Sequence, residues 1–330
     1  MRRDGLRGQV SHSTVDRCAV SGDGQGPLQV NGIRWQLDPE VTIGRAIVAA
    51  AQRLGGAGVD SPRLDAEVLL GHVLGMTRAQ LYAHADRRLS EEERRRFEAL
   101  VGRRCLHEPV AYLVGRKAFY GLDLLVTPHV LIPRPETELL VDLALDTLAH
   151  RSRSASGNGA QPQATLADVG TGSGAVALAV AANNPHVQIL ATDISAAALE
   201  VAQENARRLG LEDRVRFLRG HLLEPLPQPV DLIVANLPYV AESEWPSLAP
   251  DIANYEPALA LAGGPDGLSL IRDLLAQAPR YLLPGGSLFL EIGSGQGAAV
   301  ARLASAAFPS AYVEVLTDYA YHDRVVAVRT

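Results

Sequence analysis

Two hydrophobic periods divide the chain. Over residues 41–108 apolar positions recur every three to four residues. Ile43, Ala46, Ile47, Ala50, Ala51 and Leu54 share one helical face, and Leu64, Val68, Leu69, Leu70 and Val73 share another. Helix starts are supplied by Thr42, by Ser61-Pro62, and by the Thr77/Gln80 and Ser90/Glu93 pairs, which have capping-box spacing. Gly55-Gly56 stops the first helix and Pro109 ends the helical run, so residues 41–108 are predicted to form a small all-helical domain. Residues 109–134 then read as a β-hairpin linker, with the turn inside Ala118–Val126. From residue 135 a helix carries Leu139, Leu140, Leu143 and Leu148, followed by a polar loop from Arg151 to Gln163. Beyond it strands are expected near 164–169, 187–192, 214–219, 230–235, 286–291, 311–317 and 323–329. Helices fit at 173–184, 195–209, 266–281 and 295–307. That alternation predicts an α/β domain over 135–330, a mostly parallel sheet with helices on both faces and an antiparallel edge made by the last two strands.

Residues 1–40 show little periodicity and are expected to be a disordered extension, with a short hairpin around Asn31-Gly32 within 28–35. Composition changes this picture little. Hydrophobic residues at 47% and charged residues at 21% fit a soluble globular protein, and no apolar run reaches the ~20 residues that span a bilayer. The first 25 residues lack the apolar core of a secretory signal, so the expected location is cytoplasmic. Cys18 and Cys105 are far apart and the histidines lack ligand spacing, so neither a disulfide framework nor a metal site is expected. Charge is uneven. Residues 41–108 hold 11 Arg against 9 acids, whereas residues 109–330 hold 15 Lys+Arg against 23 acids, a balance of −8. An acidic larger domain argues against direct nucleic-acid binding, which needs clustered cations.

Three stretches carry the candidate chemistry. Asp168-Val-Gly170-Thr171-Gly172-Ser173-Gly174 lies where a strand hands over to a helix, and its glycines let backbone approach a ligand. Asp193 ends the next strand about 20 residues on, where an acid can accept from ribose hydroxyls; an N-cap role is open to it too, although Ser195 can fill that. Without a GxxxxGK[ST] loop, this pair suits S-adenosyl-L-methionine better than NAD or ATP. The third stretch, Val230 to Ala235, is a buried strand ending on Asn236-Leu237-Pro238-Tyr239, residues that no core strand needs. If strand order is doubly wound, the first and fourth strands of the sheet are neighbours, and the glycine loop and Asn236–Tyr239 face one crevice.

These motifs resemble the class I methyltransferases that modify amide or exocyclic amino nitrogens. Ala118-Phe-Tyr-Gly121, Ile132-Pro-Arg-Pro-Glu-Thr-Glu138 and Tyr255-Glu256-Pro257 narrow the resemblance to the HemK/PrmC family, the N5-glutamine methyltransferases of peptide chain release factors, from about Thr42 onward. The resemblance implies S-adenosylmethionine at Asp168 and Gly170–Gly174, with Asp193 on its ribose and His221 and Leu222 on the adenine side. It implies a substrate glutamine, in the Gly-Gly-Gln tip of class I release factors, held by the Asn236 side chain and the Leu237 carbonyl. Pro238 would stiffen that loop, and Tyr239 would pack on the substrate or anchor the loop. Two positions depart from the family pattern: Leu237 stands where proline is usual, and His221 where an acid is common. Asn-Leu-Pro-Tyr is also the spelling found in rRNA adenine dimethyltransferases, so an adenine-N6 methyltransferase of rRNA or DNA is one alternative. A glutamine methyltransferase acting on another protein and a non-enzymatic cofactor-binding module are the others.

Overall fold

Apolar runs that expect burial on both faces are found stacked at the centre of the sheet. The computed structural model describes residues 35–155 and 164–330. It begins with helices α1 (Ile43–Gly56), α2 (Pro62–Leu74), α3 (Arg78–Ala83) and α4 (Glu91–Arg104). Thr42 caps α1, and both capping boxes form, Thr77 with Gln80 and Ser90 with Glu93. α1 runs through Gly55 and Gly56 rather than stopping at them. Leu64, expected in the core, is exposed, while Glu67 is buried and neutralised by Arg63 and Arg78. The expected extension over 1–40 ends sooner: Leu37 is buried and its N–H donates to Glu98 Oε1 at 2.7 Å. The remainder of that extension, and the expected hairpin apart from Trp35, lie outside the described residues.

Pro109 does not end the helices. It starts the short α5 (Val110–Val114), because proline is well tolerated at a helix entrance and Gly115 then closes the turn at φ 72°. The hairpin follows as β1 (Arg116–Phe119) and β2 (Leu122–Leu125). A 3-10 turn over Pro135–Thr137 leads into α6 (Glu138–Ala155), which occupies the first residues of the expected polar loop; 156–163 lie outside the described residues.

The α/β part contains β3 (Thr165–Val169), α7 (Ala175–Asn183), β4 (Gln188–Asp193), α8 (Ala196–Leu209), β5 (Val215–Arg219) and β6 (Val230–Asn236). After them come α9 (Pro250–Tyr255), α10 (Ser269–Tyr281), β7 (Leu282–Glu291), α11 (Gly297–Ala307), β8 (Tyr312–Thr317) and β9 (Asp323–Arg329). α9 and the 3-10 turns at 242–247 and 258–260 had no counterpart in the sequence reading. The sheet order is β5-β4-β3-β6-β7-β9-β8. The first five strands are parallel and β9 and β8 form the expected antiparallel edge. One apolar core joins α6, α7 and the hairpin to one sheet face, and a second joins α10 and α11 to the other. The central strands β3 and β6 are adjacent, with Val169 opposite both Thr192 and Ala235. Their carboxyl ends therefore set Gly170 between Asp193 and Asn236, at the point where strand order reverses. No described helix is long and apolar enough to cross a membrane.

Candidate active site

The glycine loop is folded onto its neighbour strand. Gly170 and Thr171 both donate their N–H to the Thr192 carbonyl at 2.9 Å. Gly170, Gly172 and Gly174 lie at φ 73°, 56° and 81°, a region costly for residues with a Cβ. A Cβ on Gly170 would meet Leu237 Cδ2 at 3.2 Å, and one on Gly174 would meet Leu178 at 3.0 Å. Gly174 thus serves close helix packing and is not among the residues that line the crevice. Asp168 sits beneath the loop, where its Oδ2 accepts from the Thr171 hydroxyl at 2.6 Å and the Ala177 N–H at 3.1 Å. Burial pushes its carboxyl up to about 6, against those two donors.

Asp193 closes the other side. Its Oδ2 accepts the Gly172 N–H at 2.9 Å and its Oδ1 the Ser195 N–H at 2.8 Å, while Ser195 caps α8. Each oxygen keeps a second lone pair for a ligand. Burial raises this carboxyl above the usual range, opposed by the backbone donors. At the end of β5, Gly220, His221 and Leu222 line the same crevice. Leu222, at φ 50°, is held there by a hydrogen bond from the Thr192 hydroxyl to its carbonyl at 2.8 Å.

Asn236 ends β6 with its Nδ2 donating to Thr137 Oγ1 at 3.0 Å. No hydrogen bond among the described residues uses its Oδ1. Leu237 is buried and packs its side chain over Gly170, so the departure from proline ties the two loops together. Asn236, Leu237 and Pro238 line the crevice; Tyr239 does not. Its carbonyl accepts from Gln296 Nε2 at 3.0 Å, which anchors the loop.

The crevice itself has a volume of about 410 Å³. Its opposite wall is built from Val130, Pro133, Arg134, Pro257 and Leu259. Glu256, buried, locks this wall: its carboxylate accepts from the Ile132 N–H at 3.2 Å and pairs with Arg134. Tyr120 donates its N–H to Glu138 at 2.7 Å and its hydroxyl to Asp142 at 2.7 Å. Asn205, buried on α8, bonds both backbone groups of Leu125 and the Ser173 carbonyl, joining hairpin to glycine loop. The three segments quoted for the resemblance are therefore wall and bracing of one cavity. Sequence reasoning missed Thr137, Asn205 and Glu291 as individuals. Only Thr137 had a signal, its place in the Pro-Arg-Pro-Glu-Thr-Glu run.

Comparison with known proteins follows the same division. The PrmC N-terminal domain model matches residues 45–115 and the Methyltransferase small domain model matches residues 151–253. The chain is 46% identical to the release factor glutamine methyltransferase of Moorella thermoacetica over 86% of its own length and 97% of that protein's. The chain belongs to the release factor glutamine methyltransferase family. Its relative from Cereibacter sphaeroides is 42% identical over 86% of this chain and 97% of that one. Among solved structures, the hMettl16 catalytic domain in complex with the MAT2A 3'UTR hairpin 6 matches at TM-score 0.50 and 15% identity. That match covers 70% of this chain and 81% of that one and shows a shared fold.

The family's methyl donor is S-adenosylmethionine, and the crevice fits it. Its floor is a cradle of positive-φ glycines where an added Cβ at Gly170 would press on Leu237. A half-buried carboxylate, Asp193, stands at one side of an otherwise largely apolar cavity of ligand size.

Proposed function

We infer that this chain transfers a methyl group from S-adenosylmethionine to the side-chain amide nitrogen of the glutamine in the Gly-Gly-Gln motif of class I peptide chain release factors, tuning translation termination. The observation that carries this reading is the state of Asn236. Its NH₂ is occupied by Thr137, its carbonyl oxygen is free, and it lines the crevice one strand away from the glycine loop. A free amide oxygen there suits a substrate that brings N–H groups.

An amide nitrogen is a weak nucleophile because its lone pair is shared with its carbonyl. When bound, S-adenosylmethionine supplies a methyl group on a positively charged sulfur. The chain does the rest by placement. Asn236 Oδ1 and the Leu237 carbonyl accept the two N–H groups, which aims the nitrogen and favours positive charge as it develops there. Pro238 fixes φ in the loop, and the burial of Leu237 over Gly170 keeps both acceptors in register with the cofactor floor. Gly170, Thr171, Gly172 and Ser173 would hold the cofactor, with Asp193 accepting from its ribose and His221 and Leu222 beside its adenine. The methylated nitrogen becomes more acidic and its extra proton passes to water, so no dedicated base is needed. The helical domain of residues 41–108 docks the release factor. An enzyme with this substrate works in the cytoplasm, and nucleic acid is not its acceptor.

The test offers the full-length enzyme, with labelled S-adenosylmethionine, three acceptors in parallel. They are a class I release factor, the same factor with its tip glutamine replaced by alanine, and rRNA. Label on the first alone supports the reading. Label on rRNA, or on the alanine variant, overturns it.

A further inference from the structure

Two residues stand in line behind Asn236. Thr137, buried at the end of its 3-10 turn, accepts the Asn236 Nδ2–H. Glu291 ends β7 directly opposite Asn236 in the sheet, is 2% exposed, and does not line the crevice. Its Oε2 has no hydrogen-bond partner. Burial is the largest influence and, with Glu136, opposes its charged form, while the nearby Thr137 hydroxyl, Arg324 of β9 and the Asn236 side chain favour it. The Tyr239 phenol also feels the Glu291 charge. A buried carboxyl with an idle oxygen is an expensive way to fill a strand end, since an apolar residue there would be more stable.

We propose that Glu291, acting through Thr137, sets which way the Asn236 amide points and is a positioning residue for methyl transfer. This rests on the role given to Asn236 above. An ionised carboxylate can only accept, so the Thr137 O–H donates to it. A hydroxyl committed in that direction presents lone pairs to Asn236, and only the NH₂ end of the amide can meet them. Oδ1 is thereby left for the crevice. A flipped amide would set oxygen against oxygen with no proton between them. Protonation of Glu291 removes the constraint: the acid donates to Thr137, whose own proton is then free to turn to an amide oxygen. Burial pushes Glu291 up to about 7, which places this change within the working pH range.

The test measures kcat against pH for the full-length enzyme with release factor and S-adenosylmethionine. Wild-type kcat falls as pH is lowered through about 7. In Glu291→Gln the side-chain NH₂ can donate to Thr137 and reverse the polarity of the line. It should lower kcat by about 10-fold or more, the equivalent of one lost hydrogen bond, and flatten that pH dependence. Its cofactor affinity should change less than about twofold, since the cofactor floor is untouched. Thr137→Val should behave as Glu291→Gln does, and Thr137→Ser should recover most of what the valine loses. This pair carries the test if the glutamine variant misfolds. Wild-type kcat and pH profile in Glu291→Gln, or in Thr137→Val, overturn the proposal. Asn236→Ala separates the two failures. An inactive Asn236→Ala beside a wild-type-like Glu291→Gln refutes only the relay, whereas an active Asn236→Ala refutes the role of Asn236 itself.

Discussion

Glu291→Gln should make the folded protein more stable relative to wild type as pH rises, while slowing it. A glutamate in the unfolded chain titrates near 4.5, and burial pushes Glu291 up to about 7. Between those values the folded state binds a proton that the unfolded chain has released. Stability therefore falls with rising pH across this window and the loss is complete above the folded-state value. At about 1.4 kcal/mol per pH unit the window corresponds to on the order of 3 kcal/mol. Glutamine is neutral at every pH and escapes the loss, although its NH₂ places donors among groups arranged for an acceptor, a pH-independent cost of about 1–3 kcal/mol. The quantity to follow is thus the difference between variant and wild type, not the absolute stability of either. That difference should grow by on the order of 3 kcal/mol from about pH 4 to about pH 8 and then level off. Urea unfolding at a series of pH values, read by amide exchange in β6 and β7, measures it where the group sits. Parallel pH curves for the two proteins would refute a carboxyl with a raised titration point at this position.

Two further outcomes follow from the site's bracing. Asp193→Ala should weaken S-adenosylmethionine binding by about 1.5–3 kcal/mol, the value of a charge-assisted hydrogen bond, and leave the protein folded. Unchanged affinity by calorimetry refutes its place on the ribose. Glu256→Ala frees the Ile132 N–H and the Arg134 guanidinium that together hold the far wall. It should cost about 1–3 kcal/mol of stability and raise KM for the release factor well above any change in cofactor affinity. Equal changes in both constants would contradict a role for that wall in holding the protein substrate.

The parts of the fold that repeat were legible in the sequence. Alternating apolar runs and helical stripes located all seven strands of the main sheet, and the doubly wound order set Gly170 beside Asp193 and Asn236. Helix starts were legible because capping is local, as at Thr77 and Ser90. What stayed hidden depends on partners far along the chain. Glu256 reaches Ile132, 124 residues away, and Asn205 reaches Leu125, 80 residues away; no local pattern marks either pairing. Glu291 closes the strand expected at 286–291, and its proposed role depends on Thr137 arriving from another element. Tyr239 could read as a substrate contact or a loop anchor from its motif, and only tertiary structure turns its carbonyl toward Gln296. The stretch from 242 to 260, rich in proline and polar residues, has neither period, so its short helices were missed. Pro109 misled for a simple reason: a proline bars a helix interior yet opens a helix well.

The central claim is that the free amide oxygen of Asn236 holds the nitrogen that is methylated. The most direct measurement compares wild type with Asn236→Ala in transfer of labelled methyl to a class I release factor, with cofactor binding followed in parallel by calorimetry. Wild type should place label on the tip glutamine, and the variant should transfer none although it still binds S-adenosylmethionine. Transfer by Asn236→Ala at the wild-type rate would contradict it.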